Sequence, residues 1–306
     1  MTIHGIIPVM KEKGYTSHDV VAKLRRIMKQ KKIGHTGTLD PSVEGVLPIC
    51  MGQATRVAEY VLELPKRYRG SMVIGVSTDT QDQSGVITET KAVTHLSQAQ
   101  VDEVFTQFHG QIDQLPPMFS AVKVNGKRLY EMARQGKEVE RKSRIVQIYE
   151  LTCLKFEHKG ATAEIHFDVQ CSKGTYIRTL CVDIGKALGY PAHMNHLVRT
   201  ESGPFRIDDC YTLAEIEAWI EKEASPNKMI HGLDTVLGHL PALILPDTEV
   251  VRVFDGCSIE LTPDQPPFIE NQLLRVYSEA GRFCALYRVQ NPNMAKPEKV
   301  FRDVES

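Results

Sequence analysis

Residues 34–45, Gly34-His35-Thr36-Gly37-Thr38-Leu39-Asp40-Pro41-Ser42-Val43-Glu44-Gly45, set three glycines around Asp40 and His35. Glycines let a backbone come close to a ligand, so this carboxylate is a candidate catalyst. A phosphate-cradling loop would carry Lys after its last glycine; none is there, and nucleotide triphosphate binding is not expected. The competing reading is structural: Asp-Pro at a helix start is an N-cap followed by Pro at N1, and residue logic alone favours that cap. Tyr68, within Lys66-Arg67-Tyr68-Arg69, reads either as a strand residue between solvated charges or as a stacking platform among phosphate-facing cations. Arg178 falls just inside a helix start, where a cation opposes the macrodipole, so an acidic partner is expected for it. His193 and His196 are spaced to share a helix face, but no third ligand lies near and no metal is expected.

The elements that would position these groups follow from periodicity. Residues 3–9 read as a strand, and Thr16-Ser17-His18-Asp19 has capping-box spacing ahead of a helix bearing Val20, Val21, Leu24, Ile27 and Met28. The loop 34–45 is expected to lead into a second helix with Val57, Ala58, Val61 and Leu62. Strands are expected at 68–76 and 86–90 around an Asp82–Gly85 turn, and at 163–169. Helices are expected from Ser97, from Gly174 and after the capping box Thr212–Glu215. The segment 112–145 lacks clean periodicity and reads as an insertion. Strand-like runs dominate after Pro241, which places a domain boundary between 1–240 and 241–306.

The whole chain of 306 residues has a formal net charge of −1, so no global sign of a nucleic-acid partner exists. Locally the picture differs. Residues 11–32 hold eight Lys/Arg against two acids, and residues 123–144 hold eight against three, with Tyr15 and Tyr130 among them. Such clusters supply phosphate affinity and stacking faces. Seven cysteines without a CxxC read as reduced thiols, and no apolar run is long enough for a signal peptide or a span. The chain therefore reads as soluble and cytoplasmic.

These motifs together resemble the TruB-type tRNA pseudouridine synthases. GHTGTLDPSVEGVLP (34–48) is similar to the family's aspartate-bearing motif, and KRYR (66–69) with Thr78-Asp79-Thr80 and Asp82–Gly85 to its next block. PPMFSAVKVNGKRLYEMARQGKEVERKSR (116–144) resembles the insertion that grips the tRNA T-arm. CSKGTYIRTL (171–180) and HLVRT (196–200) resemble the segments with the active-site arginine and leucine. The likeness runs collinearly from about residue 5 to 210, and the tail is similar to the small RNA-binding PUA module. One departure stands out: Lys11 is followed by Glu12 where the family carries proline, with Met10 where an acid is common.

The resemblance implies isomerisation of the T-loop uridine (uridine 55 in tRNA numbering) by base flipping, with no cofactor and no metal. Asp40 would be the catalytic carboxylate, with His35, Tyr68, Tyr176, Arg178, Leu197 and Lys11 as substrate-binding residues. It further implies tRNA as partner, no membrane and a monomeric protein. The implied fold is α+β, a mixed and largely antiparallel sheet flanked by helices, with a β-rich PUA-like unit at 241–306. Two rival readings are a non-catalytic tRNA-binding or tRNA-folding chaperone and a small-molecule α/β enzyme. Steep loss of binding with salt would separate RNA binding from the latter.

Overall fold

The computed structural model describes residues 2–302 except 125, 138, 223–226, 263, 264 and 266; two positions of the basic motif, Asn125 and Glu138, thus lie outside the described residues. The chain begins with β1 (Gly5–Lys11), α1 (Ser17–Ile27), β2 (Ile33–His35), β3 (Glu44–Met51), α2 (Ala58–Glu63) and β4 (Lys66–Ile74). A hairpin of β5 (Val76–Thr78) and β6 (Ile87–Thr90) leads to α3 (Gln98–Gln107) and β7 (Gly110–Gln114). Next comes a small unit of β8 (Lys123–Val124), β9 (Lys127–Arg128) and α4 (Leu129–Ala133). The centre is completed by β10 (Arg144–Lys159), β11 (Thr162–Cys171), α5 (Ile177–Ala187), β12 (Ala192–Ser202), β13 (Phe205–Arg206) and α6 (Leu213–Lys222). Last come β14 (Ala242–Leu245), α7 (Asp247–Phe254), β15 (Ile259–Glu260), β16 (Leu273–Ser278), β17 (Phe283–Asn291) and β18 (Met294–Val300).

One sheet runs β1-β3-β12-β4-β11-β10-β7, with β2 added to β3 and β13 to β12. Only β3 with β12 is a parallel pair, as the mixed, largely antiparallel expectation required. The first capping box forms as its spacing predicts: the Thr16 side chain accepts from Asp19 N, and Asp19 reaches back to Thr16 N. Its helix α1 then buries Val20, Val21 and Leu24 against Ile7, Val9, Leu47 and Ile49 of β1 and β3. On the other side of the site, α3 and α5 pack Val101, Phe105, Leu180 and Ile184 onto Met72, Ile165, Phe167 and Val169.

The sequence reading missed β3, which it treated as loop running into helix. Pro48, which has no N–H to give a ladder, stands in the middle of this strand. In the structure Pro48 sits opposite Pro8. The Pro8 carbonyl accepts from Tyr211 N and the Pro48 carbonyl from Thr36 N, so both residues turn their backbone away from the ladder they share. Neither missing N–H therefore costs a bond between β1 and β3. The helix after this loop is correspondingly short, Ala58–Glu63, behind a 3-10 turn at Gly52–Arg56. His193 and His196 are on the strand β12 and share no helix face. The helix expected to open at Gly174 begins at Ile177, with Gly174 turning the chain at φ 77°.

The last part forms a second, five-stranded sheet in the order β14-β16-β17-β18-β15, matching the expected PUA-like β-rich unit; α7, β15 and β18 are added to the strand-like runs expected after Pro241. Its own core holds Leu243, Leu274, Val276 and Tyr287. Phe283, Leu286 and Phe301, however, pack with Ile6, Val46, Val57 and Val61 of the first part. No helix among the described residues is long and apolar enough to cross a membrane.

Candidate active site

The loop bearing Asp40 is pinned from several sides. Thr36 is buried and donates N and Oγ1 to Pro48 O, both at 3.1 Å. Leu39 N donates to Ser17 Oγ at 3.0 Å, and Gly14 N donates to Pro41 O at 2.8 Å. Leu39 and Val43 are buried on either side of Asp40. Lys11, fully buried, donates Nζ to Val43 O at 2.6 Å and to Glu12 O at 3.1 Å. Burial lowers its pKa to about 8 although the Asp40 charge opposes that shift. The loop closes at Gly45, φ 117°, where a Cβ would stand 2.2 Å from Arg199 O.

Asp40 caps no helix. Val43 N donates to Asp40 O at 3.0 Å in a turn that leads straight into β3. Its side chain instead meets Arg178, Nε to Oδ2 at 3.0 Å, with the arginine side chain 7% exposed and the carboxylate 41%. This is the acidic partner that the helix-start position of Arg178 called for. The remaining fork of the guanidinium donates Nη1 to Thr80 O at 3.0 Å and Nη2 to Phe119 O at 2.9 Å. One side chain thus joins the Asp40 loop, the turn after β5 and the base of the insertion.

That turn is itself braced. Asp82 Oδ1 accepts from Thr80 Oγ1, Ser84 N and Ser84 Oγ, and Thr179 of α5 donates to Gln81 Oε1 at 2.9 Å. Gln81 and Gln83 bond the backbone of Met194 on β12.

Tyr68 on β4 lies opposite Arg199 on β12 and Val169 on β11, half-buried against the apolar core. Burial raises its phenol pKa, and the Arg199 guanidinium opposes the shift. Asp40 is near enough for its charge to act on Tyr68 and on Lys11. Leu197, two residues before Arg199 on the same strand face, is buried opposite Gly70, whose missing side chain leaves room for the Leu197 Cδ1. Tyr176 precedes α5 and is bracketed by Gln114, which donates Nε2 to Tyr176 O at 3.1 Å and accepts Tyr176 N at 2.7 Å. His35 is half-buried, edge-on to His18 with centroids 5.2 Å apart, and its buried Nδ1 has no partner. Burial, then the His18 charge, lowers its pKa.

Asp40, Arg178, Tyr68 and Lys11 are therefore brought together by contact or charge, with Leu197 on the strand face of Arg199. His35 stands at the loop's entry and Tyr176 one residue before α5. Sequence reasoning missed Arg199 and Gln114; Arg199 had a signal, since strand alternation from Leu197 puts it on the same face. In the insertion, buried Leu129 anchors α4, while Tyr130 lies beneath Arg128 and Arg134 at 5.9 and 5.5 Å. Lys123, Lys127, Lys137, Lys142 and Arg144 are exposed there, as are Lys13 before α1, Arg26 on it and Lys29, Lys31 and Lys32 after it. Among the described residues no group of His, Cys, Asp and Glu could hold a metal ion.

Residues 25–177 match the model of the TruB family pseudouridylate synthase N-terminal domain, and residues 178–250 that of the tRNA pseudouridylate synthase B C-terminal domain. The chain is 45% identical to the tRNA pseudouridine synthase B of Bacillus pumilus (strain SAFR-032) over 305 residues, 97% of each chain. It is also 45% identical to that of Bacillus subtilis (strain 168) over 303 residues, again 97% of each. Among solved structures, an H/ACA RNP bound to a substrate RNA containing 2'-deoxyuridine superposes with TM-score 0.73 at 27% identity, covering 98% of this chain and 86% of that one. A Cbf5-Nop10-Gar1 complex gives 0.73 at 29%, covering 97% and 84%.

Proposed function

This chain belongs to the TruB family of pseudouridine synthases, and we propose that it isomerises the T-loop uridine of tRNA (uridine 55) with Asp40 as the catalytic carboxylate. It is an isomerase that acts on tRNA, and the catalytic reading holds over that of a tRNA-binding chaperone without chemistry. The observation that carries the assignment of residues is the ion pair in which a buried, fully engaged Arg178 holds a half-open Asp40.

A uridine stacked in a loop must leave its stack to be reached, at a cost of a few kcal/mol. His35, at the loop's entry, fills the space that flipping leaves. Tyr68 then stacks on the uracil, with Leu197 on its other side and Tyr176 lining the approach. Arg178 sets a fixed cation against Asp40, and Lys11 holds the loop backbone from beneath. Asp40 either attacks C1′ or removes a sugar proton to give a glycal; in both routes the C1′–N1 electron pair leaves with the base. The freed uracil turns and bonds C1′ through C5, displacing the Asp40 carboxylate in the first route and, in the second, with Asp40 returning the sugar proton it took. C5 loses its proton and N1 gains one, so the net change is isomerisation, with Tyr68 placed to take part in the last proton transfer.

The exposed cations of the insertion and of α1 are read as the grip on the T-arm phosphates. Residues 1–240 form the catalytic unit in this reading and 241–306 the PUA-like one. The latter carries ten acids against seven Lys/Arg, with Arg288, Lys299 and Arg302 in ion pairs, so its part is positioning rather than charge-driven affinity. The protein works as a monomer in the cytoplasm, in keeping with its seven unbridged cysteines.

The test is tritium release from tRNA labelled at uridine C5, for the wild type and Asp40→Ala. About one tritium per tRNA, lost in Asp40→Ala and in a transcript lacking the T-loop uridine, is the expected result. Release that survives Asp40→Ala would overturn the assignment of the carboxylate.

A further inference from the structure

Arg199 has no part in the chemistry above, yet it heads the fully buried side chains of the described residues by size. It sits on β12 directly opposite Tyr68 on β4 and, on its other side, opposite Gly45 on β3, where the sheet has its one parallel pairing. Its Nε donates to Val46 O at 2.7 Å. Its Nη1 lies beside Gly37, where a Cβ would stand 3.5 Å away, and its Nη2 is buried without a partner. Its own backbone fills the space where a side chain at position 45 would sit. The guanidinium charge also acts on the Tyr68 phenol, which its strand position places alongside.

An arginine buried with an unused donor is a costly way to fill a sheet interior, where an apolar side chain of similar volume would serve stability as well. A planar fork, though, can touch a phenol on one side and a loop backbone on the other at once, which a point-charge lysine cannot do. Directly opposed residues on neighbouring strands also hold their side chains at close, fixed spacing.

We propose that Arg199 is a positioning residue of the isomerisation, fixing Tyr68 from behind and tying it to the Gly37–Gly45 loop so that stacking ring and carboxylate keep one spacing. This rests on the roles given above to Tyr68 and Asp40. Arg199 touches no substrate; it acts through Tyr68 and the loop. Around it, Lys11, His35, Lys66, Cys171 and Cys210 are the other ionisable groups its charge reaches, with Asp40 on the loop side.

Single-turnover tritium release at saturating tRNA tests this for the wild type, Arg199→Lys, Tyr68→Phe and the double substitution, alongside tRNA affinity. Arg199→Lys is expected to bind tRNA within about three-fold of wild type and to lose about ten-fold or more in rate. In the Tyr68→Phe background the same change is expected to cost less than about three-fold, because the two act as one unit. Losses that simply multiply, a wild-type rate, or a loss confined to affinity would overturn the proposal. Should Arg199→Lys fail to fold, the intact chain carrying 3-fluorotyrosine at position 68 decides the matter by fluorine NMR. Two resolved ring environments are expected for a held ring, and one averaged line would sink the idea. Absence of tritium release from the wild type would instead remove the underlying reading of Asp40 and Tyr68.

Discussion

Arg178 and Asp40 meet Nε to Oδ2 at 3.0 Å, with the cation buried and the carboxylate facing solvent. The asymmetry matters for chemistry. A guanidinium that also bonds two backbone carbonyls cannot swing away, while the carboxylate keeps an open side for a substrate. Arg178→Lys retains the charge but cannot serve three partners spread around a fork. It is expected to lower the single-turnover rate by about 100-fold or more while tRNA affinity stays within a few-fold. A variant with the wild-type rate would show that the pair is structural.

Tyr68→Phe keeps the ring and removes the hydroxyl. Stacking and tRNA binding are expected to persist, and the rate of tritium release to fall by about ten-fold or more, the lower range for a lost proton-transfer group. A fully active Tyr68→Phe enzyme would take the hydroxyl out of the mechanism and leave only the ring.

Glu164 on β11 makes a prediction about acid stability. Burial alone would raise its pKa, but hydrogen bonds from Lys159, Ser71 and Asn195 outweigh this and bring it down to about 2, against an ordinary 4.5. A carboxylate with a lowered folded pKa stabilises the native state above its unfolded pKa, and that contribution is lost as pH falls from about 4.5 towards 2. Its size is at most about 3 kcal/mol, and less because Lys159 reaches it from solvent. Unfolding of Glu164→Gln followed between pH 5 and 2 should show a shallower acid slope than the wild type. Parallel slopes would mean that the carboxylate is not coupled to folding.

The two parts of the chain share a core, so they are not expected to separate cleanly. Phe301 is fully buried, stacks on Phe283 at 5.2 Å and lies under Arg56. Phe301→Ala is expected to destabilise the whole protein by about 3–5 kcal/mol, the range for a buried phenylalanine. The segment 1–240 alone is expected to lose cooperative unfolding, because Val46, Val57 and Val61 would be laid open. A stable, active 1–240 fragment in calorimetry and tritium release would refute this.

What the sequence determined by itself was what neighbours in the chain can satisfy. The Thr16–Asp19 and Thr212–Glu215 boxes closed as their spacing predicts, because donor and acceptor lie within one helical turn. The Asp82–Gly85 turn and the alternating strand at 163–169 were legible for the same local reason. The motifs around Asp40, Tyr68 and Arg178 identified the family but said nothing of their distances.

The tertiary structure decided the rest. Asp40-Pro41 carries every local sign of a helix cap, and only the β3 pairing behind it turns the segment into a loop that hands its carboxylate to Arg178. Pro48 lacks the N–H that a ladder uses, and only its pairing with Pro8 lets β3 carry it without a lost bond. How deeply Lys11 and Arg199 lie is not legible in sequence; sheet order buries both beneath the loop, where backbone carbonyls rather than water receive their charge. Long-range strand pairing sets these contacts, and no window of neighbouring residues contains the information that fixes it.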